Sequence, residues 1–297
     1  MKLVFVITGI VLCTLMLIVS IMVEKVRQHK KDMRYFTADS VPPKFYITGD
    51  KHRKFDTVEL FCKCMKTRPK DVLIILGDSG FNYFEDYRDE KLKEKAARMN
   101  ITLFCLHGNK ECRPQNIGTY GIRSFCGGKV YYEPKYPSIF FAIDGQVYTF
   151  EGRKYMVVGG AHSVDKIKCL NEGLPFWEDE MPDDATKATV ETKLADENNK
   201  VYGMLTHTCP LKYLPTERFL STRREAEAKR KSWKIKRKKR FQPDIDRSTE
   251  EWLDYLEEKV DYKVWFCGHY HVDKQIENVY MLHREIRPLH LSEWDCK

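Results

Sequence analysis

Residues 71–78 read DVLIILGD, a short apolar run that ends in a glycine and an aspartate. Residues 44–52 (KFYITGDKH) and residues 263–271 (KVWFCGHYH) repeat this arrangement, with a polar residue directly after the glycine. Apolar runs of roughly four to eight residues bounded by turn residues are typical of buried strands. The pattern therefore predicts buried strands that deliver polar side chains at their carboxyl ends.

Other apolar runs alternate along the chain with amphipathic stretches. We predict further strands at residues 101–106, 139–143, 155–158 and 201–206. We predict helices at residues 55–66, 87–99, 185–196 and 248–259, the last opening with the cap sequence Ser248-Thr249-Glu250-Glu251. This order of elements predicts an α/β fold with a substantial sheet.

The segment from Leu3 to Val23 contains no charged side chain. A helix of this length spans about 30 Å, the thickness of a bilayer's hydrocarbon core. We therefore predict a transmembrane anchor over residues 1–24 and a juxtamembrane linker over residues 25–43. A cleaved signal peptide fits less well, because residues 21–24 offer no small residues for a cleavage site. The basic residues that follow the span predict a single-pass membrane protein whose main domain is cytoplasmic.

Composition is compatible with a large globular domain after this anchor. The chain has 297 residues, of which 42% are hydrophobic, so it can bury a sizeable core. Its ten cysteines have irregular spacing and lie mostly in apolar runs, which indicates reduced thiols and not a disulfide framework.

Five of the predicted strands are followed by residues of types that bind metal ions. These residues are Asp50, His52, Asp78, Asn109, His207, His269 and His271. A single aspartate after a strand is more often a turn former or a helix cap, but agreement among five strand ends favours a shared site. Carboxylate and amide oxygens combined with imidazoles suit two divalent first-row ions such as Mn²⁺, Fe or Zn²⁺.

The ordered motifs resemble those of the calcineurin-like metallophosphoesterase superfamily: Asp-x-His, Gly-Asp, Gly-Asn-His-Glu/Asp, His and Gly-His-x-His. The resemblance covers about residues 44–285, and segments at 109–114, 159–166 and 206–210 are similar to a bacterial and phage-associated branch. It implies a four-layer αββα fold of two packed mixed β-sheets flanked by helices. We expect this domain to cover residues 44–287, followed by a C-terminal tail over residues 288–297.

The resemblance also implies a ligand set for two metal ions. One ion would be held by Asp50, His52, Asp78 and His271, and the other by Asp78, Asn109, His207 and His269, with Asp78 bridging the two. Two ions about 3.5–4 Å apart lower the pKa of a bridging water and clamp phosphoryl oxygens. We therefore expect hydrolysis of a phosphomonoester or a phosphodiester, including phosphorylated small molecules, by a hydroxide activated between two metal ions, with Mn²⁺ as the first choice.

One position departs from the superfamily pattern. Lys110 stands where a histidine is expected after Asn109, and that histidine is thought to assist the leaving group. Lysine is a poor proton donor at neutral pH, although its positive charge could stabilise a phosphoryl oxygen. His107 and His162 are alternative general acids, and each also has a purely structural interpretation.

A basic run at residues 229–240 lies inside an insertion over about residues 222–243. Three interpretations are open: a solvated surface, attraction to anionic lipid headgroups with Trp233 and Ile235 entering the interface, or contact with nucleic acid. Two function classes follow for the whole chain. The first is a metal-dependent phosphoesterase, and the alternative is a catalytically impaired metal- or phosphate-binding regulatory protein at a membrane surface.

Overall fold

The structure is a computed structural model that describes residue 16 and residues 19–23, 41–216 and 245–294. Two units divide the chain, residues 1–43 and residues 44–297. In the first unit, residues 19–23 are helical. Among the described residues, none of the helices combines the length and the apolar character needed to cross a bilayer. Most of the predicted anchor and linker, and the basic run at residues 229–240, lie outside the described residues.

A seven-stranded mixed sheet begins the second unit. Its strands are β1 (Phe45–Thr48), β2 (Val72–Ile75), β3 (Thr102–Cys105), β4 (Gly121–Phe125), β5 (Gly128–Tyr132), β6 (Ile139–Ala142) and β13 (Arg287–Pro288), in the order β13-β1-β2-β3-β6-β5-β4. Strands β1, β2, β3 and β6 are mutually parallel, and the remaining pairs are antiparallel. The carboxyl ends of β1, β2 and β3 therefore meet at one edge of this sheet.

A six-stranded mixed sheet follows. Its strands are β7 (Val147–Phe150), β8 (Arg153–Val158), β9 (Gly203–Thr206), β10 (Val264–Cys267), β11 (Lys274–Ile276) and β12 (Val279–Met281), in the order β11-β12-β10-β9-β8-β7. Strands β8, β9, β10 and β12 are parallel, so β9 and β10 also end side by side.

Five helices of the second unit are described: α1 (Asp56–Met65), α2 (Tyr87–Ala97), α3 (Lys166–Glu172), α4 (Asp184–Asp196) and α5 (Ser248–Lys259). Short 3-10 turns lie at Pro114–Asn116, Leu211–Tyr213 and Leu291–Glu293. Helices α1 and α2 pack on the outer face of the first sheet, through residues such as Val58 and Ala96. Helices α4 and α5 pack on the outer face of the second sheet, through residues such as Val190 and Leu253.

The two sheets face each other across the main hydrophobic core. Alternate residues of β1 and β2, such as Ile47 and Ile74, pack there with Val157 of β8, Leu205 of β9 and Phe266 of β10. The residues between them point outward to the helices, because successive side chains of a strand alternate between faces. The predicted arrangement of two mixed sheets with flanking helices is confirmed.

Several local features differ from the sequence predictions. The hairpin of β4 and β5 was not predicted, because β4 alternates between half-buried and exposed residues and has no continuous apolar run. Helix α5 has no side-chain cap at its first residue; Asp246 instead accepts a hydrogen bond from the backbone N–H of Ser248 at 2.9 Å. Residues at and beyond the predicted domain end at residue 287 still pack on the domain: β13 pairs with β1, Leu289 is fully buried and Trp294 packs on Tyr280.

Candidate metal centre

The five strand ends predicted to carry metal ligands converge on one site. Register places Thr48 beside Ile75 and Ile75 beside Cys105, so the turns after β1, β2 and β3 are neighbours. In the second sheet, Thr206 lies beside Cys267, which brings together the turns after β9 and β10. The seven candidate ligands, Asp50, His52, Asp78, Asn109, His207, His269 and His271, all stand on these turns.

Three side chains form a first group. Nε2 of His52 lies 2.7 Å from Nε2 of His271, and Oδ2 of Asp50 lies 3.5 Å and 3.2 Å from these two nitrogens. The carboxylate of Asp50 is fully buried, whereas about a third of each histidine side chain is exposed. The group is therefore anchored in the protein on one side and open to solvent on the other.

A second group surrounds Asn109. Its Oδ1 lies 2.9 Å from Nε2 of His207 and 3.0 Å from Nδ1 of His269. Oδ2 of Asp78 lies 3.8 Å from Nε2 of His207 and 3.8 Å from Nε2 of His52. Asp78 thus stands between the two groups.

The donor atoms of both groups suit divalent ions. The Nδ1 of His207 bonds to the carbonyl oxygen of Leu76 at 2.7 Å, which leaves the Nε2 lone pair directed at Asp78 and Asn109. Asn109 donates from Nδ2 to Oγ of Ser163 at 2.7 Å, which turns its Oδ1 toward the histidines. Electron-pair donors therefore face one another, and a cation placed among them would satisfy several at once. Two overlapping sets of possible metal ligands share Asp50: one with His52 and His271, the other with Asp78 and His207.

The turns that carry the candidate ligands have strained backbone conformations and a close approach that requires glycine. His52, Asp78, His269 and His271 all have positive φ, between 42° and 65°. Such conformations cost about 1–3 kcal/mol each in non-glycine residues, and they are concentrated at functional sites. A Cβ on Gly108 would overlap Asp78, so glycine is required for the two turns to approach.

Buried polar residues that were not predicted as ligands hold these turns in place. Glu111 is fully buried and accepts hydrogen bonds from the backbone of Ser79, Gly80 and Gly108, as well as from Oγ of Ser79 at 2.6 Å. It therefore joins the turn after β2 to the turn after β3. The signal in the sequence is an acidic residue two positions after the predicted ligand Asn109.

Glu250 of α5 has a similar role for the other sheet. Its Oε1 accepts hydrogen bonds from Oγ1 of Thr208 at 2.7 Å and from the hydroxyl of Tyr270 at 3.3 Å. Thr208 directly follows His207, and Tyr270 directly follows His269. One buried carboxylate therefore links the two turns that carry these histidines.

Burial and opposite charges shift the pKa values of the candidate ligands in different directions. Burial raises the pKa of Asp50, but the hydrogen bond from His271 and the nearby histidine charges outweigh it, so the net pKa is well below the usual range. Burial, and then the charge of Asp50, raise the pKa of Asp78. Burial lowers the pKa of His269 to about 3. His269 is therefore neutral at physiological pH and able to offer a lone pair.

The predicted catalytic residues lie at the rim. The backbone N–H of Lys110 donates to Oδ1 of Asp78 at 2.7 Å, and its Nζ pairs with Asp165. Burial lowers the pKa of Lys110, but the hydrogen bond with Asp165 outweighs it and the net pKa is raised, so Lys110 stays cationic. Nδ1 of His162 lies 3.4 Å from Oε1 of Glu180, and 12% of the histidine side chain is exposed. His107 is buried with neither ring nitrogen bonded, and burial holds its pKa far below the ordinary value, which favours the structural interpretation.

The family model for calcineurin-like phosphoesterases matches residues 43–273, more than half of the chain. The chain belongs to the calcineurin-like phosphoesterase family. Members of this family use divalent metal ions, and the Asp and His groups described above are the candidate ligands. The family resemblance of the sequence motifs is thereby confirmed, while the bacterial and phage-associated branch stays a prediction.

Other comparisons add only distant likenesses. No curated protein matches the sequence. A solved structure described as TT1561 of Thermus thermophilus is 13% identical, with 82% of this chain and 89% of that chain covered and a TM-score of 0.41. A structure described as the protein of unknown function AQ665 from Aquifex aeolicus is 13% identical, with 56% and 80% covered and a TM-score of 0.29.

Proposed function

We propose that this calcineurin-like phosphoesterase hydrolyses a phosphomonoester or a phosphodiester with two divalent ions bound at the candidate metal centre, Mn²⁺ being the first choice. The observation that carries the proposal is the position of Asp78, whose Oδ2 is 3.8 Å from a histidine of each ligand group. Bound divalent ions lower the pKa of water and neutralise charge on phosphoryl oxygens. The residues of this chain supply the rest of the chemistry.

Each side chain has a distinct task in this proposal. Asp50, His52 and His271 hold one ion, and Asn109, His207 and His269 hold the other, with Asp78 shared. Lys110 offers a fixed positive charge beside the centre, which would stabilise a phosphoryl oxygen as negative charge accumulates on it. Nε2 of His162 is the candidate proton donor for the leaving group, because Nδ1 already faces Glu180.

Turnover of two chromogenic substrates tests this proposal. Hydrolysis of p-nitrophenyl phosphate and of its bis ester is measured after chelation and after addition of Mn²⁺, Fe²⁺ or Zn²⁺ separately. We expect no turnover after chelation and recovery with at least one ion. The ratio of the hydrolysis rates for the two substrates distinguishes a monoesterase from a diesterase. Hydrolysis that persists at full rate in a chelator would contradict the proposal.

One observation favours a second candidate, a metal-binding regulatory protein with impaired catalysis. Lys110 replaces the expected histidine, and its Nζ is engaged by Asp165. In that case the chain would bind two divalent ions but hydrolyse neither chromogenic ester. Measured metal binding without turnover would favour this candidate over the enzyme.

We also propose that residues 1–24 anchor the protein in a membrane with the phosphoesterase domain in the cytoplasm. The support is the uncharged sequence from Leu3 to Val23 and the basic residues after it. Vesicle flotation at low and at raised salt, with and without the first thirty residues, tests it. Anchoring predicts flotation of the full chain only, whereas salt-sensitive flotation of the shortened chain would indicate that the basic run at residues 229–240 binds anionic lipid.

A further inference from the structure

A loop that follows β12, residues 282–285, is bonded to the end of β1 and the turn after it. Oγ1 of Thr48 donates a hydrogen bond to the carbonyl oxygen of Glu285 at 2.7 Å. Nζ of Lys51 donates to the carbonyl oxygen of His283 at 2.8 Å. Both donor residues are buried. These four residues, the bridging loop, are therefore fixed to the turn that carries the Asp-x-His motif.

The bridging loop is bonded to the second sheet through its backbone N–H groups. That of Leu282 donates to the carbonyl oxygen of Cys267, the last residue of β10, at 2.8 Å. Those of residues 283–285 donate to the carboxylate of Asp273 at 2.8, 3.2 and 3.3 Å. Asp273 lies two positions after the candidate ligand His271. The bridging loop therefore connects the turn after β1 with the turn after β10.

The loop also contacts a candidate ligand directly. The ring of His283 packs on the ring of His271, with the centroids 4.7 Å apart and 24° between the planes. Nε2 of His271 is the atom that lies 2.7 Å from Nε2 of His52. Because a packed ring restricts rotation of its neighbour, His283 helps to fix the direction in which Nε2 of His271 points.

The first ligand group depends on this connection more than the second group does. Its two histidines, His52 and His271, come from different sheets, and about a third of each side chain is exposed. Because metal–nitrogen bonds are about 2 Å long, two nitrogens that share an ion stand at most about 4 Å apart. The second group has its own support, since His207 is fully buried and bonds to the carbonyl oxygen of Leu76 at 2.7 Å. A shift of the bridging loop would therefore separate the donors of the first group and not those of the second.

We propose that the bridging loop positions His271 for the ion of the first group, and that His283 and Asp273 are positioning residues that set the affinity for this ion. The inference rests on the proposed phosphoesterase function and adds two residues to its metal centre. It predicts a selective effect. Loss of the loop contacts weakens the ion of the first group and leaves the ion of the second group in place.

Mn²⁺ titration of the chelated full-length protein by calorimetry tests the inference, in two backgrounds that each retain one intact ligand group. His269→Ala leaves the first group intact, and His271→Ala leaves the second group intact. His283→Ala, His283→Phe and Asp273→Ala are each added to both backgrounds. The matched control is Asp183→Ala, because Asp183 is also exposed and its carboxylate accepts a backbone hydrogen bond at the start of α4.

In the His269→Ala background we expect His283→Ala and Asp273→Ala to weaken Mn²⁺ binding by about tenfold or more, as is common when a contact behind a metal ligand is removed. His283→Phe keeps a flat ring against His271 and should bind Mn²⁺ as its background does, and so should Asp183→Ala. In the His271→Ala background none of the four substitutions should change the affinity. A loss of general stability would lower the affinity in both backgrounds, so the comparison isolates the positioning role.

Three results would overturn the inference and leave the proposed function intact. The first is unchanged affinity in His283→Ala and Asp273→Ala, and the second is equal weakening in both backgrounds. The third is a loss in His283→Phe as large as in His283→Ala. Nδ1 of His283 is buried without a hydrogen-bond partner in the described part of the chain, and this third result would mean that a ring nitrogen binds the ion itself.

Mn²⁺ binding by the unsubstituted protein separates this inference from the function on which it rests. A wild type that binds fewer than two Mn²⁺ ions would overturn both. Two ions in the wild type and none in the His269→Ala background would overturn only the inference, because the first group would then not hold an ion by itself.

Discussion

Nε2 of His52 lies 2.7 Å from Nε2 of His271, although the two residues are 219 positions apart in the sequence. His52 stands on the turn after β1 of the first sheet, and His271 follows β10 of the second. Oδ2 of Asp50 lies close to both nitrogens. Two imidazole nitrogens and a carboxylate oxygen therefore face one another, and one divalent cation among them would satisfy all three atoms.

Replacing Lys110 tests whether this position limits the range of substrates. We expect Lys110→His to raise turnover of alkyl phosphates, which have poor leaving groups, by about tenfold or more, with a smaller effect on nitrophenyl esters. The physical reason is that an imidazole can give up a proton near neutral pH, whereas a lysine held cationic by Asp165 cannot. Rates on paired alkyl and nitrophenyl esters provide the measurement, and an unchanged ratio of the two would count against this role.

Glu250 is expected to act as a positioning residue. Glu250→Ala leaves Thr208 and Tyr270 without their shared acceptor, which should destabilise the fold by about 1–3 kcal/mol. The turns that carry His207 and His269 should then become less ordered. The affinity for Mn²⁺ should therefore fall by a larger factor than the factor by which KM for the substrate changes. Calorimetric titration and urea unfolding measure the two effects. Glu251→Ala, at an exposed position of the same helix, is the control, and identical metal affinities in both variants would contradict the positioning role.

Asp71 provides a pH-dependent test of how β1 and β2 are aligned. Its carboxylate accepts hydrogen bonds from the backbone N–H of Lys44 at 2.9 Å and from Arg68, which ties the starts of the two strands together. Burial raises the pKa of Asp71, but these hydrogen bonds outweigh it and the net pKa is lowered. The stabilisation from ionised Asp71 is therefore fully present above pH 3.8, the pKa of Asp71 in the unfolded chain. It is lost as the pH falls through the lower pKa that Asp71 has in the folded protein.

Asp71→Asn should accordingly lower the free energy of unfolding by about 1–3 kcal/mol at pH 7. The difference from the wild type should shrink as pH falls below about 4. Urea unfolding of both proteins from pH 7 downward measures this difference. Asp56→Asn, which changes an exposed carboxylate on α1, should show a much smaller effect. A wild-type advantage that stays constant at low pH would be inconsistent with an ionised Asp71.

The ligand turns could be predicted from the sequence because each follows an apolar strand. The carboxyl ends of neighbouring parallel strands lie at the same edge of their sheet. It did not predict the contacts of Glu250, which lies 42 residues after Thr208 and reaches it only because α5 packs on the second sheet. It also missed β4, since half-exposed strands lack a continuous apolar run. Helix α3 was missed for a related reason: seven residues are too few for a reliable helical period.

Metal titration of the chelated protein tests the central claim most directly. Calorimetry with Mn²⁺ should show two ions per chain for the wild type and for the control Asp261→Asn, a change at an exposed carboxylate. Asp78→Asn should lose tight binding of at least one ion, together with nearly all phosphoesterase turnover. Two tightly bound ions and a wild-type rate in Asp78→Asn would show that Asp78 does not bridge a dinuclear centre.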